Sequence, residues 1–416
     1  MWRMIPATPI SSFSMVHHVA HPINHIAHLL LWIAVVSSGC GRPAIVSPDD
    51  AFRPITVERL DLSDDLNLAG LEEALAQQRE ILRKSGDTTM KFGRESISRR
   101  DYSAALDALS VVLQSSQPLN AKLSYIRDTF RFLEWYGGKE WGEILLTSYF
   151  EPIIPGSVTP TARFSQPLYA KPDDLVVIDL KKFSERFKDE AALRGRVHQG
   201  KVTPYFSREE IDDGKALKGR DLELCWVDPT DAFFLHIQGS GTVKLPNGEE
   251  LFITYAEKNG RRYEPIGKYL KDRVAPLPVT MQRIESIVKT MSPHERSELF
   301  AKNPSYVFFT KSKRRAITSL GAPATPGRTI AVDSKFAPKG ALALITFNKP
   351  EVDQPESKDS GMPPTSRVSR FVLDQDSGGA ITGTDHVDLF WGRGDEAKKV
   401  AGILQDKARI VFLVPK

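Results

Sequence analysis

The sequence predicts a mainly β protein with helices gathered toward its N-terminal end. Apolar residues recur at helical spacing between positions 68 and 133, and from Ile144 onward the texture changes to short β-prone runs separated by turns. The last stretch of roughly 110 residues packs in so many short runs that a small barrel fits better than an open sheet. The 416 residues are 41% hydrophobic and 26% charged, which suits a soluble globular bulk of about two domains.

Taken in order, Leu68, Leu71, Ala74, Leu75, Ile81 and Leu82 describe one helix, stopped by Ser85-Gly86. Tyr102, Ala105, Leu109 and Leu113 describe a second. Leu123, Ile126, Phe130 and Leu133 describe a third, capped by Asn120 and ended by Gly137-Gly138. Strands are expected over residues 144–150, 175–178, 222–227, 232–238, 242–245 and 251–255, with Asn247-Gly248 turning the last two into a hairpin. Residues 280–302 return to helix, and Ser292-Pro293-His294-Glu295 predicts a capping box. Strands then follow at 306–310, 329–332, 341–347, 370–373, 386–390 and 408–414, interrupted by a polar, Pro-rich loop over 349–366.

The first 39 residues hold one basic residue, Arg3, and no acid, then an apolar run over 29–36 and Ser37-Ser38-Gly39-Cys40. The apolar run is too short to span a bilayer and reads as an export signal, with Met15 an alternative start. Small residues before Cys40 resemble a bacterial lipoprotein cleavage site, so Cys40 is the expected lipidation point and residues 40–63 the tether; an ordinary cleaved signal and an uncleaved anchor are the alternatives. With Cys40 lipidated, Cys225 has no partner for a disulfide. A net charge of +4 and the lack of a basic run argue against a nucleic-acid partner. No cofactor is expected, and no metal.

Three aspartates carry the candidate chemistry. Asp333 and Asp376 sit at strand ends, where a carboxylate commonly bonds the next turn, so structural and catalytic roles stay open for both. Asp388 interrupts a strand instead. Alternation puts it with His386 and Phe390 on one face, opposite Val387, Leu389 and Trp391. A carboxyl desolvated beside an aromatic ring has the raised pKa that a general acid needs at neutral pH.

The segments Asp376-Ser-Gly-Gly-Ala-Ile-Thr-Gly and Val387-Asp388-Leu389-Phe390-Trp391-Gly392 resemble the three-aspartate domain of the membrane-bound lytic murein transglycosylase A family. So do Ala331-Val332-Asp333-Ser334-Lys335 and Pro338-Lys339-Gly340. Upstream, Tyr149-Phe150-Glu151-Pro152, His236-Ile237-Gln238-Gly239-Ser240-Gly241, Tyr255-Ala256-Glu257-Lys258-Asn259-Gly260 and Asn303–Phe309 resemble that family's entry, inserted domain and return. The spacer between Asp376 and Asp388 is one residue longer than in the family pattern.

The resemblance implies a double-psi β-barrel domain (64–155 with 303–416, its three-aspartate part at about 328–416) and an inserted second β-domain (156–302), with a groove between them. It implies a lytic exotransglycosylase that cleaves the MurNAc–GlcNAc bond of peptidoglycan and leaves 1,6-anhydromuramoyl ends. Asp388 is then the single acid/base and Asp376 its orienting or sugar-binding neighbour. Tyr149, Phe150, Phe390 and Trp391 become stacking candidates, though alternation forbids Tyr149 and Phe150 from sharing a face; Gln238, Ser240, Lys258 and Asn259 become polar sugar contacts. Peptidoglycan, a membrane reached through the N-terminal lipid, and cell-wall synthesis or division proteins are the implied partners, in the periplasm at the outer membrane of a Gram-negative cell. Two rival readings are a non-catalytic murein-binding lipoprotein and, from Asp376-Ser377-Gly378, an aspartic protease; the latter needs a second such loop, and none accompanies the barrel segments in a comparable strand context.

Overall fold

The computed structural model describes residues 47–416 apart from 85–87, 189, 191, 316–317 and 380; the side chains of residues 80, 81, 83 and 84 are also left aside. The export signal, Met15, Cys40, Ile81 and the Ser85-Gly86 stop therefore lie outside what is described.

The tether expectation needs correction at its far end. Strand β1 (Phe52–Ile55) is paired antiparallel with a strand at 130–135. The reason is Phe52, whose ring meets Phe92, Trp135 and Phe412 at centroid distances of 5.8, 5.1 and 5.4 Å. Helix α1 (Leu71–Lys84) forms as its apolar spacing predicts, burying Leu71, Ala74, Leu75 and Leu82. An unexpected hairpin follows, β2 (Thr89–Phe92) with β3 (Glu95–Ser98), before α2 (Arg99–Gln114). Ser98 caps α2 by accepting from the Asp101 amide at 3.0 Å.

Helix α3 (Leu119–Thr129) is shorter than expected and starts after Pro118, not after Asn120. Phe130 and Leu133 leave it for β4 (Phe130–Trp135), which lies between β1 and the C-terminal strand with both faces covered. Burial on both faces erases the alternation that would have marked it as a strand.

The C-terminal half is dominated by a closed six-stranded barrel. The barrel is built from β5 (Glu143–Glu151) and, after an excursion of the chain, β15 (Thr329–Ala331), β16 (Leu342–Pro350), β17 (Thr365–Asp376), β18 (His386–Arg393) and β19 (Gln405–Pro415). The order β19-β16-β17-β15-β18-β5 closes because β5 pairs back onto β19. Pairings β15–β17 and β18–β5 are parallel and the rest antiparallel, as a double-psi barrel requires. Leu146, Ile330, Leu344, Phe371, Val387, Leu389, Ile410 and Phe412 fill the core, which is continuous with that under α1 and α2. Tyr102 fastens α2 to the barrel: its hydroxyl donates to the Leu413 carbonyl (2.9 Å) and accepts from the Leu342 amide (2.8 Å).

The inserted sheet has the order β14-β13-β12-β6-β11-β7, from β6 (Ile153–Ser157), β7 (Gln166–Tyr169), β11 (Glu223–Val227), β12 (Ser240–Lys244), β13 (Glu250–Lys258) and β14 (Val307–Ser312). A three-stranded sheet adds β8 (Val176–Ile178), β9 (Leu193–His198) and β10 (Lys201–Pro204). Two expectations are corrected here. Residues 232–238 are not a strand but most of a helix, Pro229–Gln238, because Asp228 caps it (Thr230 amide, 2.7 Å), Pro229 starts it and Gly239 ends it in the left-handed conformation. Residues 307–310, expected to lead back into the first domain, pair with β13 and stay in the inserted sheet. The Asn247-Gly248 hairpin and the Ser292–Glu295 capping box form as read.

One buried ion pair fixes the barrel to the N-terminal segment. Arg328 and Asp64 are fully buried side chains, 2.6 Å apart. Arg328 also donates to the carbonyls of Ala69 and Phe371, and Asp64 accepts from the amides of Leu66, Leu68 and Phe371. Burial alone would push Asp64 up; the guanidinium and these donors hold its pKa below the usual value.

Candidate active site

Strand β18 carries Asp388 between β15, where it lies opposite Ala331, and β5, where it lies opposite Thr147. Val387 and Leu389 point into the core, which turns His386 and Asp388 outward, as alternation predicts. Phe390 shares their face but is buried under Tyr149, with ring centroids 5.2 Å apart.

Thr147 donates to Asp388 Oδ1 at 2.9 Å, and the same hydroxyl lies 2.8 Å from His386 Nε2. Enclosure by protein pushes the Asp388 pKa up to about 7; the Thr147 bond opposes this and the negative charge of Asp376 adds to it.

Asp376 stands at the end of β17. Its Oδ2 accepts from Tyr149 at 2.7 Å, and its Oδ1 accepts from the amides of Ser319 (2.9 Å) and Ser377 (2.8 Å). Three donors thus hold this carboxyl in place. Beneath it, Lys339 donates to Asp374 Oδ1 (2.7 Å), the Val332 carbonyl (2.6 Å) and the Asp376 carbonyl (2.5 Å). Burial pushes Asp374 up, and Lys339 opposes that. Asp333 accepts from the amides of Lys335 (2.9 Å) and Gly383 (2.8 Å), tying two loops together.

The inserted sheet reaches this site at the end of β13. The Lys258 ammonium packs against Gly379, 3.3 Å from where a Cβ would stand, and makes no hydrogen bond among the described residues. Burial, and then the nearby Arg194 charge, lower its pKa. Gln238 Oε1 accepts from the Phe150 amide at 3.0 Å, joining the helix 229–238 to β5. Ser240 opens β12 opposite Thr254. Glu151 is buried and accepts from Thr242 at 2.6 Å, a link between the sheets rather than a contact open to a ligand.

Three expected contacts are corrected. Phe150 is buried against Ala397 and Ala401, on the side of β5 away from Tyr149. Trp391 packs edge-on to Phe347 and under the Arg370 guanidinium, on the face opposite Asp388. Asn259 is fully buried with all its capacity used: it donates to the carbonyls of Phe206 and Pro304 and accepts from the amides of Tyr306 and Arg261. We expect Asn259→Ala to cost about 2–4 kcal/mol of stability in a denaturant titration, since it orphans several buried groups. An unchanged denaturant midpoint would contradict this.

Residues that sequence reasoning missed are Thr147, Ser319 and the Lys339–Asp374 pair. Thr147 was within reach, since it shares a face of β5 with Tyr149. Ser319 contributes only a backbone amide, which leaves no trace in residue type.

Barrel and inserted sheet make a two-part, mainly β protein with the Asp388 carboxyl on β18, and family models match both parts. The MltA specific insert domain matches residues 145–310 and the 3D domain matches residues 328–414. The chain is 30% identical over 281 residues to membrane-bound lytic murein transglycosylase A of Escherichia coli K12, covering 67% of each chain. It is 28% identical over 279 residues to the Vibrio cholerae protein of that name, covering 66% of each. Among solved structures, a membrane-bound lytic murein transglycosylase from Agrobacterium tumefaciens superposes with a TM-score of 0.70 at 27% identity, over 88% of this chain and 98% of that one. The chain belongs to the membrane-bound lytic murein transglycosylase A family. The match spans about two thirds of the length of these curated relatives, which are named for peptidoglycan-cleaving lyase activity.

Proposed function

We propose that the protein is a lytic transglycosylase that cleaves the β-1,4 bond between MurNAc and GlcNAc in peptidoglycan, with Asp388 as its only acid/base. The observation that carries this is the inequality between the two carboxyls. Asp388 has a pKa near 7 and one donor, whereas Asp376 has three donors and is committed. Ordinary glycosidases need two working carboxyls, one of them to activate water or to attack. A single one suffices when the nucleophile is the sugar's own 6-hydroxyl, because intramolecular attack has a very large effective molarity.

In this reading Asp388 protonates the leaving oxygen, then as a carboxylate takes the proton of the 6-hydroxyl as that oxygen closes on C1. The proton count balances and no water enters. Tyr149, Gln238, Ser240 and Lys258 are the groups proposed to line the sugar path, and barrel and inserted sheet the two domains that flank it. We place the protein in the periplasm of a Gram-negative cell, held to the outer membrane through a lipid on Cys40.

Incubation with purified murein sacculi tests this: soluble 1,6-anhydromuropeptides are expected by mass spectrometry. Binding to sacculi with no product released would favour a murein-binding lipoprotein instead. The acid form of Asp388 predominates below its pKa, so kcat/KM is expected to be flat up to about pH 7 and to fall about tenfold per pH unit above it. A profile rising through pH 8 would contradict the assignment.

A further inference from the structure

We propose that the outer face of the three-stranded sheet β10-β9-β8 is a docking surface for a bilayer that bears anionic phospholipid headgroups. This surface is independent of whatever reaction Asp388 performs, and it adds a contact to the lipid placed on Cys40 above. The two faces of this sheet are reversed from the usual arrangement. An antiparallel sheet with one covered face normally buries its apolar side chains and sets its polar ones in water.

Here the polar side lies against the protein. Arg194 of β9 donates to Glu257 of β13 at 3.1 Å and to the Ala192 carbonyl at 2.7 Å. A Cβ on Gly260 would stand 2.6 Å from that of Arg194, so β9 is packed tightly there. Two residues on, the Arg196 guanidinium lies over the Phe206 ring, 4.3 Å from its centroid. Alternation therefore turns Leu193, Gly195 and Val197 away from the body. The register adds their partners to the same face: Ile178 opposite Leu193, Val176 and Pro204 opposite Gly195, and Val202 opposite Val197. Leu193, Val197 and Val202 are 53%, 62% and 54% exposed, an aliphatic patch in water.

The rim of the patch says what covers it. Phe183, 74% exposed, stands on the connection from β8 to β9 among exposed Lys181, Lys182, Arg186 and Lys188, and exposed Lys201 begins β10. Lys181, Lys188 and Lys201 make no ion pair or side-chain hydrogen bond among the described residues. Residues 176–204 hold seven basic and four acidic residues, so the charge here is positive. Aliphatic side chains inside a basic rim suit the headgroup boundary of an anionic membrane, where apolar burial and the attraction of lysines add. A second copy of the chain would set like charge against like. A glycan would meet aliphatic side chains that offer it no hydrogen bond.

A nitroxide attached at Val197→Cys or Val202→Cys tests this in the full chain carrying Cys40→Ser, which leaves buried Cys225 as the only other thiol. Val111→Cys, at a site 69% exposed on α2, is the control, and thermal melting confirms folding. On vesicles of phosphatidylethanolamine and phosphatidylglycerol, the nitroxides at 197 and 202 are expected to gain collisions with dissolved oxygen and to lose them with a water-soluble nickel chelate. The one at 111 is expected to do neither. Lys181→Glu combined with Lys201→Glu should raise the lipid concentration needed for half of this effect by about tenfold or more. Nitroxides at 197 and 202 that stay as open to the chelate as the one at 111 overturn the proposal. Spin–spin broadening that grows with protein concentration in the absence of lipid also overturns it, by putting a second copy on the face. Shielding by sacculi alone does the same, by putting murein there.

Discussion

Asp388→Asn is expected to lower kcat on sacculi by about 10³–10⁴ while leaving thermal stability and sacculus binding near wild type. The amide keeps the size of the carboxyl and can still accept from Thr147 through its carbonyl, so the contact at 2.9 Å has a replacement. What disappears is the transferable proton and the base that forms when it leaves. Asp376→Asn is a useful contrast. Its carboxylate sets local charge and is held by Tyr149, Ser319 and Ser377, so the loss there acts through a lowered Asp388 pKa and a loosened loop. We expect a smaller fall and an alkaline limb displaced to lower pH. Comparable losses from both variants, with hydrolytic products, would instead mean that two carboxyls share the chemistry.

The largest effect on stability is expected from Arg328→Met. That change leaves Asp64 buried and without its counter-ion, and leaves the Ala69 carbonyl without its guanidinium donors. Breaking one partner of a buried pair typically costs about 3–5 kcal/mol. The expected readout is a lower denaturant midpoint with an unchanged m-value. The sign of the pH dependence follows from Asp64 having its pKa depressed by folding. Its stabilisation is present in full above the unfolded carboxylate value and is lost as pH falls through the folded value. Wild type should therefore lose stability steeply in acid, and the Arg328→Met variant less steeply over the same range.

Much of the fold was legible where segments carry strong local signals. Val387-Asp388-Leu389 alternates, Asn247-Gly248 can hardly be anything but a tight turn, and Ser292-Pro293-His294-Glu295 caps a helix by side-chain chemistry alone. The failures share a cause, which is tertiary context overriding a short pattern. Phe130 and Leu133 fit a helical face as well as a strand, and only the two neighbours of β4 decide between them. In residues 229–238 the apolar run Phe233-Phe234-Leu235 looked β-prone, but Asp228, Pro229 and Gly239 supply both ends of a helix. Asp388 was identifiable as the odd carboxyl in an apolar strand. Its dependence on Thr147 was not, because that contact joins strands 241 residues apart in sequence. Asn259 shows the reverse error: a polar residue in a glycine-flanked motif is here consumed by four backbone groups.

The central claim is that one carboxyl suffices because the sugar supplies its own nucleophile. Digestion of sacculi in water enriched in oxygen-18 tests it most directly, with the muramoyl ends read by mass spectrometry. The account predicts 1,6-anhydro ends that carry none of the heavy isotope. Reducing ends bearing one heavy oxygen would show that water attacks C1, and the assignment of Asp388 as sole acid/base would be wrong.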